Sequence, residues 1–113
     1  MAPESAQRDD PGELEMVLDR LVERLGLIPE RHWVTAYQAV APAMQELRLL
    51  SIELGDAGPD EIPVIAARAV GAQLSVIGRD FLRTAACCPD ETTRQAARAR
   101  ALSALKRARS ALP

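Results

Sequence analysis

The spacing of the apolar residues is the feature that most constrains the fold of this chain. Apolar side chains recur at intervals of three and four along most of the 113 residues, which is the period of an amphipathic α-helix. No run alternates β-branched and polar residues as a strand would, and the aromatic residues are Trp33, Tyr37 and Phe81. Proline and glycine divide the pattern into four blocks. The sequence therefore predicts an all-α fold, a four-helix antiparallel bundle.

The first 26 residues predict a tail and one helix. Residues 1–9 lack an apolar pattern and are expected to be a disordered tail, which leaves residues 10–113 as a single domain. Asp10 is a capping residue and Pro11 suits the first helical position, so the helix is expected to begin there and to end near Gly26. Its apolar positions lie on one face: Leu14, Val17, Leu18, Leu21, Val22 and Leu25.

The second helix is expected over Glu30–Leu54, with Gly55 ending it. Pro42 lies inside this pattern on the outward side, where it should kink the helix, and a break into two helices is the alternative. The inward positions are Trp33, Tyr37, Val40, Met44, Leu47 and Leu54. This face is widened beyond what one core needs by Val34, Ala41, Leu50 and Ile52, and Leu49 falls outside it. The helix is therefore either central to the domain or in contact with another chain.

The second half of the chain predicts two more helices. The third is expected to start at Ile62 or Pro63 and to end at Ala86, after a turn rich in glycine and acidic residues. Its expected inward positions are Ile65, Ala66, Ala69, Val70, Leu74, Ile77 and Phe81. The fourth is expected to start with Cys88 as its cap and Pro89 in its first position. Small residues form a strip on the third helix: Ala67, Gly71, Ser75 and Gly78. This strip indicates either a tight contact within the core or the seam of a homodimer.

Charge divides the chain into two unequal halves. Residues 1–61 carry 13 acidic and 5 basic side chains, a net charge of −8, whereas residues 62–113 carry 3 acidic and 9 basic ones, a net charge of +6. This division favours ion pairs between the halves within one folded chain over a binding surface for a charged partner. Thirteen of the basic residues are arginine, as in proteins from GC-rich coding sequences, so arginine by itself does not indicate bidentate recognition.

The residues that could perform chemistry are few. His32 is the one histidine, and Cys87 and Cys88 are adjacent, without the spacing of a metal site or a redox motif. No glycine-rich phosphate-binding motif occurs in the sequence. We therefore expect no catalytic site, no metal and no cofactor, although a reactive thiol at Cys88 is an alternative.

The pattern favours a small non-enzymatic interaction or regulatory module that forms a homodimer or binds another protein. The expected partner-binding residues lie on the second helix, with one accessory residue on the first: Trp33, Tyr37, Leu49, Ile52 and Met16. Large apolar anchors of this kind tend to dominate the energy of an interface.

The sequence is also compatible with two alternative functions. A nucleic-acid-associated regulator would use a basic patch formed by Arg79, Arg83, Arg98, Arg107 and Arg109. A bundle that binds a small apolar ligand would need a cavity beside Gly71 and Gly78.

No segment is long and apolar enough to span a membrane, and the polar start differs from a signal peptide, so we expect a cytoplasmic protein without a membrane partner.

Overall fold

A computed structural model describes residues 12–113, and this part of the chain consists of helices and their connections, without strands. The four α-helices are α1 (Gly12–Leu25), α2 (Trp33–Glu53), α3 (Val70–Ala86) and α4 (Glu91–Ala111). Single 3₁₀ turns precede α2, at Glu30–His32, and α3, at Ala67–Ala69. The predicted all-α four-helix bundle is confirmed. The predicted tail and the capping of the first helix by Asp10 and Pro11 lie outside the described residues.

The helices surround the core in the order α1, α3, α2, α4, so that α1 and α2 each pack against both α3 and α4. Helices α1 and α3 run antiparallel, because Gly78 lies beside Leu18 and Gly71 beside Leu25. Arg24 near the end of α1 donates hydrogen bonds to carbonyl oxygens at the end of α4. The ends of α1 and α4 and the start of α3 therefore meet at one end of the bundle.

A short connection separates α1 from α2, whereas residues 54–69 form a long connection between α2 and α3. This long connection returns along α2: Arg48 Nε donates to the carbonyl oxygen of Pro59 (2.8 Å), and Gln45 Nε2 donates to that of Asp60 (3.1 Å). Helix α3 consequently enters the bundle from the same end as α2. The two neighbours run in the same direction, an arrangement that periodicity alone does not reveal.

The buried side chains form a single core shared by all four helices. Phe81, Leu74, Met44 and Leu47 are almost completely inaccessible at its centre, and α4 packs mainly through alanines. The inward face predicted for α1 is confirmed, with Leu14, Val17, Leu18, Leu21 and Leu25 buried. The predicted core positions Val40, Met44 and Leu47 of α2 are buried, whereas Trp33, Tyr37 and Leu54 are half-buried.

Helix α2 continues without interruption through the exposed Pro42, so the alternative of two separate helices is wrong. Its turns are held by packing on both sides, against α3 and α4, which outweighs the loss of one backbone hydrogen bond. The kink at Pro42 remains a prediction. As expected, the helix ends before Gly55, whose φ of +113° is the left-handed conformation that glycine tolerates.

The predicted start of α3 is wrong by about two turns. The chain at Ile62–Ala66 is not helical, and regular α-helix begins only at Val70. The β-branched Val64 and Ile65 have low helix propensity, and no side chain caps the segment. Gln73 Nε2 instead donates to the carbonyl oxygen of Pro63 (2.8 Å), which holds this segment in a non-helical conformation. As a result Ile65 and Ala66, predicted to face the core, are exposed.

The predicted cap of α4 is also wrong, because Asp90 and not Cys88 caps the helix. The carboxylate of Asp90 accepts hydrogen bonds from the backbone N–H of Thr92 (3.2 Å) and from the hydroxyl of Thr93 (2.6 Å). The hydroxyl of Thr93 is the leading cause that lowers the pKa of Asp90 below its ordinary value. Carboxylates are better acceptors than a thiol for the free N–H groups of a first turn.

Candidate interaction surface

The four predicted partner-binding residues of α2 do not form one exposed face. Leu49 is 42% exposed, whereas Trp33, Tyr37 and Ile52 are half-buried. The indole Nε1 of Trp33 donates to the carbonyl oxygen of Ile28 (3.0 Å), so this side chain secures the connection between α1 and α2. Tyr37 packs against the edge of the core. Leu49 is thus the residue of this group that is most available to a partner.

Met16, the predicted accessory residue, is 44% exposed on α1. Helix α1 lies diagonally opposite α2, and the two helices make few direct contacts. The structure therefore does not bring Met16 together with the candidate residues of α2.

Other exposed apolar residues occupy α2, α3 and the connections that flank them. They are Leu27 (79% exposed), Val34 (64%), Val64 (86%), Ile65 (38%) and Val76 (61%). Helix α4 contributes no large exposed apolar side chain. We call Val34, Leu49, Val64, Ile65 and Val76 the apolar surface, because each of them lies on α2, on α3 or on the connection between these helices.

Sequence reasoning missed most of this surface for a specific reason. Val64 and Ile65 were assigned to a helix, where Ile65 would face inward, and their exposure follows from the extended path of the connection. Val34 was counted as part of the wide apolar face of α2. It falls within about 20° of Gln45 and Ile52 on a helical projection, and Gln45 contacts the connection. This line of residues therefore faces the connection and not the core.

A single arginine fixes the first part of the connection. Arg48 Nη1 pairs with a carboxylate oxygen of Asp56 (3.0 Å), and the other carboxylate oxygen accepts from the N–H of Gly58 (2.9 Å). The hydrogen bond from Arg48, followed by that from Gly58, holds the pKa of Asp56 below its ordinary value. A Cβ at Gly58 would lie 2.6 Å from Arg48 Nη2, so the end of the Arg48 side chain would have to shift to accommodate it.

The acidic and basic halves of the sequence neutralise each other inside the folded chain. Within residues 12–113, four basic side chains of the second half pair with acidic ones of the first. The pairs are Arg79–Asp19 (3.0 Å), Arg98–Glu15 (2.9 Å), Lys106–Glu13 (3.1 Å), Arg100–Glu46 (3.3 Å) and Arg100–Glu53 (3.4 Å). This is the use of the charge asymmetry that the sequence favoured. Most of these pairs are exposed, and each contributes little stability by itself. Together they favour the packing of the acidic half against the basic half.

The five residues of the predicted basic patch do not come together. Arg79 and Arg98 pair with α1, and Arg83 pairs with Asp80 within α3. Arg98 and Arg107 lie on opposite sides of α4, about 180° apart, and Arg107 donates to the hydroxyl of Ser103 (3.2 Å). Arg109 is exposed on the last turn of α4, diagonally opposite α3.

The cavity required for a small apolar ligand is not found beside the two glycines. A Cβ at Gly78 would lie 2.7 Å from both methyl carbons of Leu18, and one at Gly71 would lie 3.3 Å from Leu25 Cβ. The small residues at these positions accommodate α1, which is the tight core contact that the sequence left open.

The chemistry-bearing residues are dispersed in the described part of the chain. Cys87 and Cys88 are free thiols, and Cys88 Sγ lies 3.6 Å from the carbonyl oxygen of Asp90. Within residues 12–113, no group of three or more histidine, cysteine, aspartate or glutamate side chains could hold a metal ion. None of the helices in that range is long and apolar enough to cross a membrane.

Comparisons with protein-family models, with curated proteins and with solved structures find no match to this chain.

Proposed function

We propose that this protein is a small non-enzymatic interaction module that acts as a homodimer. The observation that supports the proposal is the apolar surface, whose large aliphatic side chains are exposed on α2, α3 and the connection between them, whereas α4 exposes none. Several large aliphatic side chains exposed on neighbouring elements of a small domain favour contact with another protein surface. The basic residues favour this function over nucleic-acid binding, because most of them already have partners within the chain.

Leu49 is the residue of the apolar surface that best tests the proposal. It is solvent-exposed on a regular helix, so a charged substitution there leaves the core intact and costs the monomer little stability. In a dimer that buries Leu49, the substitution Leu49→Glu would place an unpaired carboxylate in the interface. This change is expected to weaken association about a hundredfold or more, as loss of an interface anchor does.

The chain provides a matched control in Met16. Met16→Glu introduces the same charge at a position of nearly equal exposure, 44% against 42% for Leu49, but on the diagonally opposite helix. Light scattering of the reduced proteins at one concentration measures their mass. We expect a dimer for the wild type and for Met16→Glu and a monomer for Leu49→Glu. Equal masses for all three proteins would remove Leu49 from the interface, and a monomeric wild type would reject the homodimer.

A further inference from the structure

The core of this bundle forms almost entirely between its two sequence halves. Helices α1 and α2 make few contacts with each other, as do α3 and α4, whereas each helix packs extensively against both helices of the other half. The hairpin α1–α2 and the hairpin α3–α4 are therefore interlocked. Each hairpin taken alone would leave its apolar faces exposed.

The electrostatic pairing follows the same division. The ion pairs of Arg79, Arg98, Arg100 and Lys106 all join the second half to the first. A second copy of the chain carries the same complementary halves, so its α3–α4 hairpin would meet the α1–α2 hairpin of the first copy with identical contacts. The contacts between the halves of one chain therefore also describe how two copies would fit together.

The long connection is the covalent link between the two hairpins; its partly buried Ile62 packs against the core, and three side chains of the helices form hydrogen bonds to it. Arg48, Gln45 and Gln73 supply the hydrogen bonds from the helices to its backbone or to Asp56. Within the described chain, Arg48 Nη2 and Gln73 Oε1 are buried without a hydrogen-bond partner. Such unsatisfied groups offset part of what the other bonds contribute.

From these features we infer that the homodimer forms by exchange of hairpins, with α1–α2 of each copy packing against α3–α4 of the other and residues 55–66 serving as the hinge. Exchange conserves the core and the ion pairs, so it costs little beyond association itself. It also gives a role to three residues of the apolar surface. Leu49 precedes the hinge, and Val64 and Ile65 lie within it, where the hinges of two exchanged copies run close to each other. The inference rests on the proposed homodimer.

Cross-linking between two differently labelled full-length chains tests the exchange. One chain carries Asp19→Cys and the other Arg79→Cys, each with Cys87 and Cys88 replaced by serine. The native side chains are 3.0 Å apart on α1 and α3 and about 60% exposed. Because each chain has one cysteine, a closed monomer cannot form this link within itself.

The two chains are mixed in equal amounts, unfolded and refolded together, and treated with a short thiol cross-linker. Exchange predicts cross-linking of up to about half of the chains, because random pairing makes about half of the dimers mixed. The control mixes Asp19→Cys with Glu46→Cys. These positions lie on α1 and α2, which make few contacts with each other. This control is expected to give only collisional background.

Light scattering of the same samples separates the two ways in which the inference could fail. A dimeric mass without α1–α3 cross-links would overturn the exchange and leave the homodimer in place, whereas a monomeric mass would overturn both. Gly55→Ala gives a second measure, because alanine strains the closed turn at φ +113°. It should raise the ratio of exchanged dimer to closed monomer about fivefold, and an unchanged ratio would contradict the assignment of the hinge.

Discussion

The contact between Gly78 and Leu18 yields a quantitative prediction about how α1 and α3 pack. Carbon atoms in good contact are about 3.5 to 4.0 Å apart, but a Cβ at Gly78 would lie 2.7 Å from both methyl carbons of Leu18. Leu18 is 2% exposed and has no path into solvent. Overpacking costs about 1 to 3 kcal/mol, and the better helix propensity of alanine offsets about 1 kcal/mol. Gly78→Ala should therefore destabilise the protein by about 1 kcal/mol.

The sign of this effect should reverse when the opposing side chain is shortened. Leu18→Ala alone should cost about 2 to 5 kcal/mol, but that background lacks both Cδ methyl carbons of Leu18, so Gly78→Ala should there stabilise by about 1 kcal/mol. Urea unfolding followed by circular dichroism, at one protein concentration, measures the coupling between the two sites. Gly26→Ala is the control, because its Cβ would make only ordinary contacts. The same effect of Gly78→Ala in both backgrounds would refute the packing argument.

Three further predictions follow from the hydrogen bonds and charges. Asp90→Ala removes the cap on Thr92 and should lower the unfolding free energy by about 1 kcal/mol in urea titrations, and an unchanged value would show that α4 does not depend on this cap. The lowered pKa of Asp56 means that the folded state releases this proton more readily, so stability should fall as the pH drops below about 4. Denaturation measured across this range should show a smaller loss for Asp56→Asn, and equal slopes would contradict the pairing with Arg48. Duplex DNA should not bind measurably even at low salt, and a steep salt-dependent affinity in filter binding would revive the basic patch.

Regular periodicity predicted the parts of the fold that packing then reinforced. The inward face of α1 and the buried positions Leu74 and Phe81 of α3 follow directly from a helical repeat. The failures lie where a local signal competed with tertiary contacts. Pro63 permits a helix start, but the hydrogen bond from Gln73 and the absence of a cap leave Val64 and Ile65 in a non-helical conformation.

The candidate site was harder to predict than the fold, because exposure depends on which helices are neighbours. Trp33 was predicted to bind a partner, but its indole N–H donates a hydrogen bond to the preceding connection. Met16 and Leu49 are similarly exposed, and only the order of helices around the core shows that they belong to different sides. The charge asymmetry, in contrast, was visible in the sequence. Because acidic residues dominate the first half and basic residues the second, ion pairs between the halves could be anticipated.

The central claim is that two copies of this chain associate. The most direct test is the mass of the reduced wild-type protein over a dilution series. Association predicts a mass of twice the 12.2 kDa chain at high concentration, falling towards the mass of one chain only on extensive dilution. A mass of one chain at every concentration, including the highest attainable, would contradict the account.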